Sequence, residues 1–208
     1  MTTAVLTRST ATAEGARWDQ RGLCRTARAD RDFFGATPTA RARARRACLA
    51  CPVLLTCLTR RAGEEFGVVG GLEAEQRRAL EVAALLGARP DLDRAQELLA
   101  AWWRTRLLRL AGSGHAPARI AEELTSEGIT VDAVTVRVAL WWTGAPGGLV
   151  GQPAVGDQRP LWQRVLQDHG ATVQRLRTLG VRHAASADYL GIGIGTYNRI
   201  VQHLKASA

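Results

Sequence analysis

Apolar residues recur along this chain at three- and four-residue steps, the spacing that lines one face of an α-helix. Leu72, Leu80, Ala83 and Ala84 predict a helix over 73–87, ended by Gly87 with Pro90 three residues on. A longer helix is expected from Asp91 to Ala111. There Leu92, Ala95, Leu98, Leu99, Trp102, Trp103, Leu107, Leu108 and Leu110 make a stripe wide enough for substantial burial. Over 116–142, Ile120, Ala121 and Leu124 mark one helix, Glu127-Gly128-Ile129 interrupts it, and Val131, Val134, Val138 and Trp141 mark a second. Helix, glycine turn, helix is the outline of a helix-turn-helix, with Asp132, Thr135 and Arg137 expected on its exposed side. A purely structural helical pair fits the same pattern. Residues 144–158, rich in Gly and Pro, read as a flexible linker. Helices follow over 160–169, 171–179, 183–190 and 196–204, the last two flanking Gly191-Ile192-Gly193-Ile194-Gly195 as a second helix-turn-helix-like pair. The fold class these patterns predict is all-α.

At 208 residues the chain fits one large domain or two to three small ones. Its 46% hydrophobic and 23% charged residues exclude a wholly disordered chain, a collagen-like fibre and a disulfide miniprotein. No apolar run approaches the ~18 residues of a membrane span, and the first residues lack the apolar stretch of a secretory signal. A cytoplasmic protein is expected.

Charge changes the picture. There are 28 basic and 19 acidic residues, net +9, and the single lysine is Lys205. Residues 1–87 carry net +5, residues 88–158 net −1 and residues 159–208 net +5. Positive ends around a neutral middle suit a polyanion such as DNA. In the last pair, Thr196, Tyr197, Asn198 and Arg199 would occupy the first turn of the second helix, where such motifs meet the major groove. Arg and Asn can read guanine and adenine edges.

All four cysteines, Cys24, Cys48, Cys51 and Cys57, fall in one short window with the spacing C-x23-C-x2-C-x5-C. In a reducing compartment this favours metal binding or redox chemistry over structural disulfides. Zinc with four thiolates and an iron–sulfur cluster both fit the spacing. Buried free thiols and a Cys48/Cys51 dithiol remain as alternatives. Arg25, Arg45, Arg46, Arg60 and Arg61 nearby would favour deprotonated sulfur. The series Arg41, Arg43, Arg45 and Arg46 reads as a solvated helix face or a DNA contact. His115, His169, His183 and His203 show no metal spacing. No phosphate loop, dinucleotide fingerprint or nucleophile elbow occurs, so no catalytic residue is nominated and no enzyme is expected.

The neighbours of the cysteines are specific. Trp18, Arg21, Gly22 and Cys24 precede Asp30, Asp32, Phe33 and Phe34. Cys48-Leu49-Ala50-Cys51-Pro52-Val53 leads to Cys57-Leu58, then Gly67-Val68-Val69-Gly70-Gly71-Leu72 and Gln76-Arg77-Arg78. Over residues 15–82 this resembles the WhiB-like family of actinobacterial transcriptional regulators. The resemblance implies a 4Fe-4S cluster held by Cys24, Cys48, Cys51 and Cys57. It implies a role in transcription, with sensing of nitric oxide or oxygen in several members. It implies contact with the carboxy-terminal domain of the primary sigma factor through Trp18, Phe33, Phe34 and the turn at Val69, Gly70 and Gly71. It implies DNA contact by Arg77 and Arg78. The chain departs from the family at Val69, where the turn ordinarily carries tryptophan, and the lost indole removes area from any such interface.

The expected organisation is a disordered stretch over 1–14, a cluster domain over 15–87, a helical region over 88–143, the linker over 144–158 and a basic helix-turn-helix-like region over 159–208. The function expected is a redox- or nitric-oxide-responsive, DNA-binding transcriptional regulator. A zinc-stapled DNA-binding protein is the alternative.

Overall fold

The structure, a computed structural model, describes residues 18–25, 32–153 and 157–206. The stretch 1–14, expected to be disordered, and Asp30 of the acidic segment lie outside the described residues. The described residues form helices and turns with no β-strand, as the all-α expectation requires. They pack as two units that divide in sequence between Gly71 and Leu72.

The described residues of the first unit include a 3-10 turn at Leu23–Arg25 and the helices α1 (Pro38–Leu49) and α2 (Leu54–Arg60). Thr37 caps α1 by accepting the Ala40 amide at 3.2 Å, and Pro38 presets the first turn. Four-residue steps bury Ala40, Ala44 and Cys48 on one side of α1. The arginines between them lie on its other sides, and Arg43 forks onto Asp32, with Nε at 3.0 Å and Nη2 at 2.6 Å from Oδ1. Pro52 follows the end of α1, and α2 restarts the chain with Leu54 and Leu58 inward.

The second unit contains α3 (Ala74–Leu85), α4 (Leu92–Glu97), α5 (Ala101–Gly112), α6 (Pro117–Ser126), α7 (Ala133–Thr143), α8 (Leu161–Thr178), α9 (His183–Leu190) and α10 (Ile194–Ala206). Its centre is α7, buried continuously from Val134 to Trp142. A helix apolar on every side belongs inside, and α4 and α6 pack on it. Helix α9 lies on α3 and against α10, which also packs on α8.

Four local expectations change. The helix expected over 91–111 is two helices separated at 98–100, where Leu98 turns fully into the core. The helices expected over 160–169 and 171–179 are the single α8, running through Gly170. Its inward residues Val165, Val173 and Leu176 outweigh the ~1 kcal/mol that one helical glycine costs. Thr135 and Arg137, expected on an exposed face, are buried. Thr135 Oγ1 accepts the Asp91 amide at 2.9 Å, which fastens the start of α4 to α7.

The fourth change concerns 144–158, read as a flexible linker. Its described residues 144–153 form a strap held at both ends. The Leu149 amide donates to the Leu190 carbonyl at 3.1 Å, and the Gln152 amide to the Gly114 carbonyl at 3.0 Å. Arg137 lies inside the strap. Its Nε donates to the Gly147 carbonyl and its Nη2 to the Tyr189 carbonyl, both at 2.7 Å. Its guanidinium sits 4.8 Å from the Trp141 ring centre and 5.2 Å from that of Tyr189. The glycines serve close approach here. A Cβ on Gly147 would lie 2.5 Å from Trp141 Nε1, and one on Gly191 would lie 2.4 Å from Gly148 Cα.

Candidate metal centre

The four cysteines come from four successive pieces of the first unit and line one cavity of about 320 Å³. Cys24 is exposed and sits in the 3-10 turn. Cys48 is buried in the last turn of α1. Cys51 follows at once, because its amide donates back to the Cys48 carbonyl at 2.9 Å and curls the chain. Cys57 lies one turn into α2, with its amide on the Val53 carbonyl at 2.8 Å. The C-x2-C-x5-C spacing is thus the spacing of a helix end, a turn and a helix start facing one space.

The turn after α2 closes the cavity. The Gly71 amide donates to the Cys48 sulfur and the Gly70 amide to the Cys57 sulfur. Gly70 has φ +56°, and a Cβ there would lie 2.5 Å from Leu58 Cβ. Both conditions require glycine. The Val68 amide ties the turn to the Phe33 carbonyl at 2.9 Å.

Electrostatics set the chemistry. Burial pushes the Cys48 thiol up to about 12, against the Gly71 amide, which pulls it down. Burial also raises Cys57, opposed by the Gly70 amide and by Arg61. A cation supplied among these sulfurs would reverse that order and draw the thiolates out, as metals do. The donor set fits a thiophilic centre: soft sulfur, backbone N–H donors and the positive charge of Arg61 at the wall. Among the described residues, no group of three or more His, Cys, Asp or Glu is gathered tightly enough for a single metal ion.

The aromatic positions expected to face a partner border the same cavity. Trp18 is half-buried, with Arg60 and Arg61 each 5.9 Å from its ring centre. Phe33 is half-buried and Phe34 is 69% exposed. Val69 is half-buried, while Gly70 and Gly71 are buried in the turn. Phe66, which sequence reasoning missed, lines the cavity and is 73% exposed. Its place beside the glycine turn was the available signal.

The residues expected to meet DNA fare differently. Arg77 is buried, with Nη1 donating to the Leu72 carbonyl at 2.7 Å, so it is closed to a phosphate. Arg77 lies on the side of α3 away from buried Ala79, Val82 and Ala83, and its guanidinium folds back onto the residue that precedes the helix cap instead of reaching solvent. Arg78 pairs through Nε with Asp188 of α9 at 2.8 Å. Tyr197 is fully buried, stacked edge-on at 5.3 Å from His183, and is not a base-reading side chain. Asn198 Oδ1 lies 2.8 Å from His183 Nδ1. Thr196 is half-buried and Arg199 is exposed; because α10 begins at Ile194, Arg199 lies in its second turn and not, as expected, in the first.

Residues 18–80 match the family model for the transcription factor WhiB. The match runs through the cysteine unit into α3, so the N-terminal part of the chain is WhiB-like. Comparison with curated proteins and with solved structures returned no match. No helix among the described residues is long and apolar enough to cross a membrane.

Proposed function

From its WhiB-like residues 18–80, we propose that this chain is a cytoplasmic transcriptional regulator whose first unit holds a 4Fe-4S cluster through Cys24, Cys48, Cys51 and Cys57. The observation that carries this reading is the convergence of all four thiols on one cavity, two of them receiving backbone amides from a glycine turn. A single zinc holds its sulfurs at ~2.3 Å, which gathers four thiolates far more tightly than a polynuclear cluster does.

When bound, such a cluster supplies sensitivity to oxidants and to nitric oxide. The chain's own residues supply the rest. Four thiolates close the loop from Cys24 to Cys57, and their release would free the two amides at Gly70 and Gly71. Trp18, Phe33, Phe34 and Val69 form the surface offered to a sigma factor. Thr196 and Arg199 are the DNA-facing side chains of the α9–α10 pair, in the segment carrying net +5.

Anaerobic purification with a visible spectrum and iron, sulfide and zinc analysis tests the reading. Brown protein with about four irons per chain, bleached by nitric oxide or air, is expected. The Cys51→Ser variant should lose the colour and the iron. Colourless protein with about one zinc would replace the sensor with a structural metal. A Cys51→Ser protein that keeps its full iron would refute the ligand set.

A further inference from the structure

Helix α5 presents a solvent-facing side that the α9–α10 reading does not use. Trp102 is 74% exposed and Leu108 37% exposed, and exposed Arg104, Thr105 and Arg109 share their side. At 3.6 residues per turn these five positions span less than half of the helix circumference. The opposite side buries Leu107 and Leu110. α5 contains no acidic residue. Arg106, on its flank, is paired with Glu123 and Glu127 of the α6 segment. Among the described residues, Arg104 and Arg109 have no ion-pair partner, though the charge of Arg109 reaches Glu127 through space.

Each feature narrows the occupant. An open tryptophan beside a leucine asks for apolar side chains, since Trp and Arg are the residues that anchor interface centres. Two exposed guanidiniums without a contacting carboxylate among the described residues ask for acidic groups at the same spacing. A second copy of this face would bring arginine against arginine. Duplex DNA would use the arginines and leave the indole and Leu108 without a complement. An amphipathic helix with acidic residues flanking an apolar stripe supplies both at three- and four-residue steps. Twelve residues of α5, at 1.5 Å each, give about 18 Å of seat.

We infer that the exposed side of α5 docks an acidic amphipathic helix of a partner protein, with Trp102 as the apolar anchor and Arg104 and Arg109 as its charge partners. This surface belongs to the second unit, whereas the four cysteines belong to the first.

The test places the photo-crosslinking residue p-benzoylphenylalanine at position 105 of the full chain, on the same exposed side but leaving Trp102 in place, in the cells that encode it, and maps the adducts by mass spectrometry. The expected adduct lies in an acidic amphipathic helix of another protein. Its yield should fall at least ~10-fold when Arg104→Glu and Arg109→Glu are combined. The mapped segment, made as a synthetic peptide, should bind the Trp102→Ala full chain at least ~10-fold more weakly than the parent. Thermal unfolding of both variants should match the parent, because all three side chains are exposed. Adducts to nucleic acid, to a second copy of this chain, or to surfaces indifferent to charge reversal would overturn the proposal. So would the absence of any adduct.

Discussion

Arg137 is where the second unit is most exposed to a single change. It carries a buried guanidinium from the central helix to two carbonyls on separate pieces of chain, Gly147 of the strap and Tyr189 of α9. Burial pushes its pKa down to about 10, so it remains charged at pH 7. In an Arg137→Met variant the aliphatic stem is largely replaced, but both carbonyls lose their donors. A buried acceptor left without a partner costs about 1–3 kcal/mol, so two cost about 2–6 kcal/mol. Relief of burying the charge returns part of this. A net loss of about 3 kcal/mol is expected, which for a unit of this size lowers the melting temperature by about 10 °C. Calorimetry of the full chain measures it. Hydrogen exchange localises it, because the amides of Leu149 and Gln152, which hold the strap, should exchange faster in the variant. Arg137→Lys should fail almost as badly, since an ammonium cannot fork to two carbonyls in fixed geometry. A shift under about 2 °C, or unchanged protection at Leu149 and Gln152, would show that the clasp does not hold the strap.

Gly70→Ala should lower both the metal content and the melting temperature of the first unit. The new Cβ meets Leu58 and cannot hold φ +56° without strain, and metal analysis beside circular dichroism checks it. In the metal-free chain, alkylation should modify exposed Cys24 first and Cys48 last, because burial both shields Cys48 and holds it protonated. Peptide mapping over time gives the order, and early labelling of Cys48 would refute it. Because the folded Cys48 pKa of about 12 lies above the ordinary thiol value of 9.0, its neutral form favours the fold below pH 9, and that stability is lost as pH rises towards 12. A metal-free melting temperature that climbs over that range would contradict it. Arg199→Ala should weaken DNA binding and reduce the slope of log affinity against log salt by about 1, whereas Tyr197→Phe should leave that slope unchanged.

What could be read in advance depended on whether a local pattern decided the outcome. The shared cavity of the cysteine window could be read because the four cysteines, the proline after the close pair and the glycine turn lie within 50 residues and set one local geometry. Most helices of the second unit could be read for a similar reason, since three- and four-residue apolar steps decide which side turns in. The failures share a physical cause. Thr135 and Arg137 are polar residues on a helix whose other positions are almost all apolar, and long-range packing overrode their usual preference for solvent. The strap looked like a linker because Gly and Pro also mark flexible chain. Here Gly147 answers to Trp141 of the helix just before it, and Gly148 to Gly191, far along the chain. Arg77 and Arg78 belong to the same class. A basic pair on a short helix reads as a surface until α9 is seen to lie on that helix.

That last point changes where DNA contact can reside. In the resemblance, the basic residues after the glycine turn meet DNA. In this chain α3 buries Ala79, Val82 and Ala83, turns Arg77 onto the Leu72 carbonyl and gives Arg78 to Asp188. Helix α3 is therefore a packing helix, and α9 is what packs on it. Gly70 and Gly71, whose amides serve the Cys57 and Cys48 sulfurs, are followed directly by buried Leu72, then by Glu73, which caps α3. Under the proposed function, DNA contact falls instead to Arg199, the exposed arginine of the α9–α10 pair, in a segment carrying net +5.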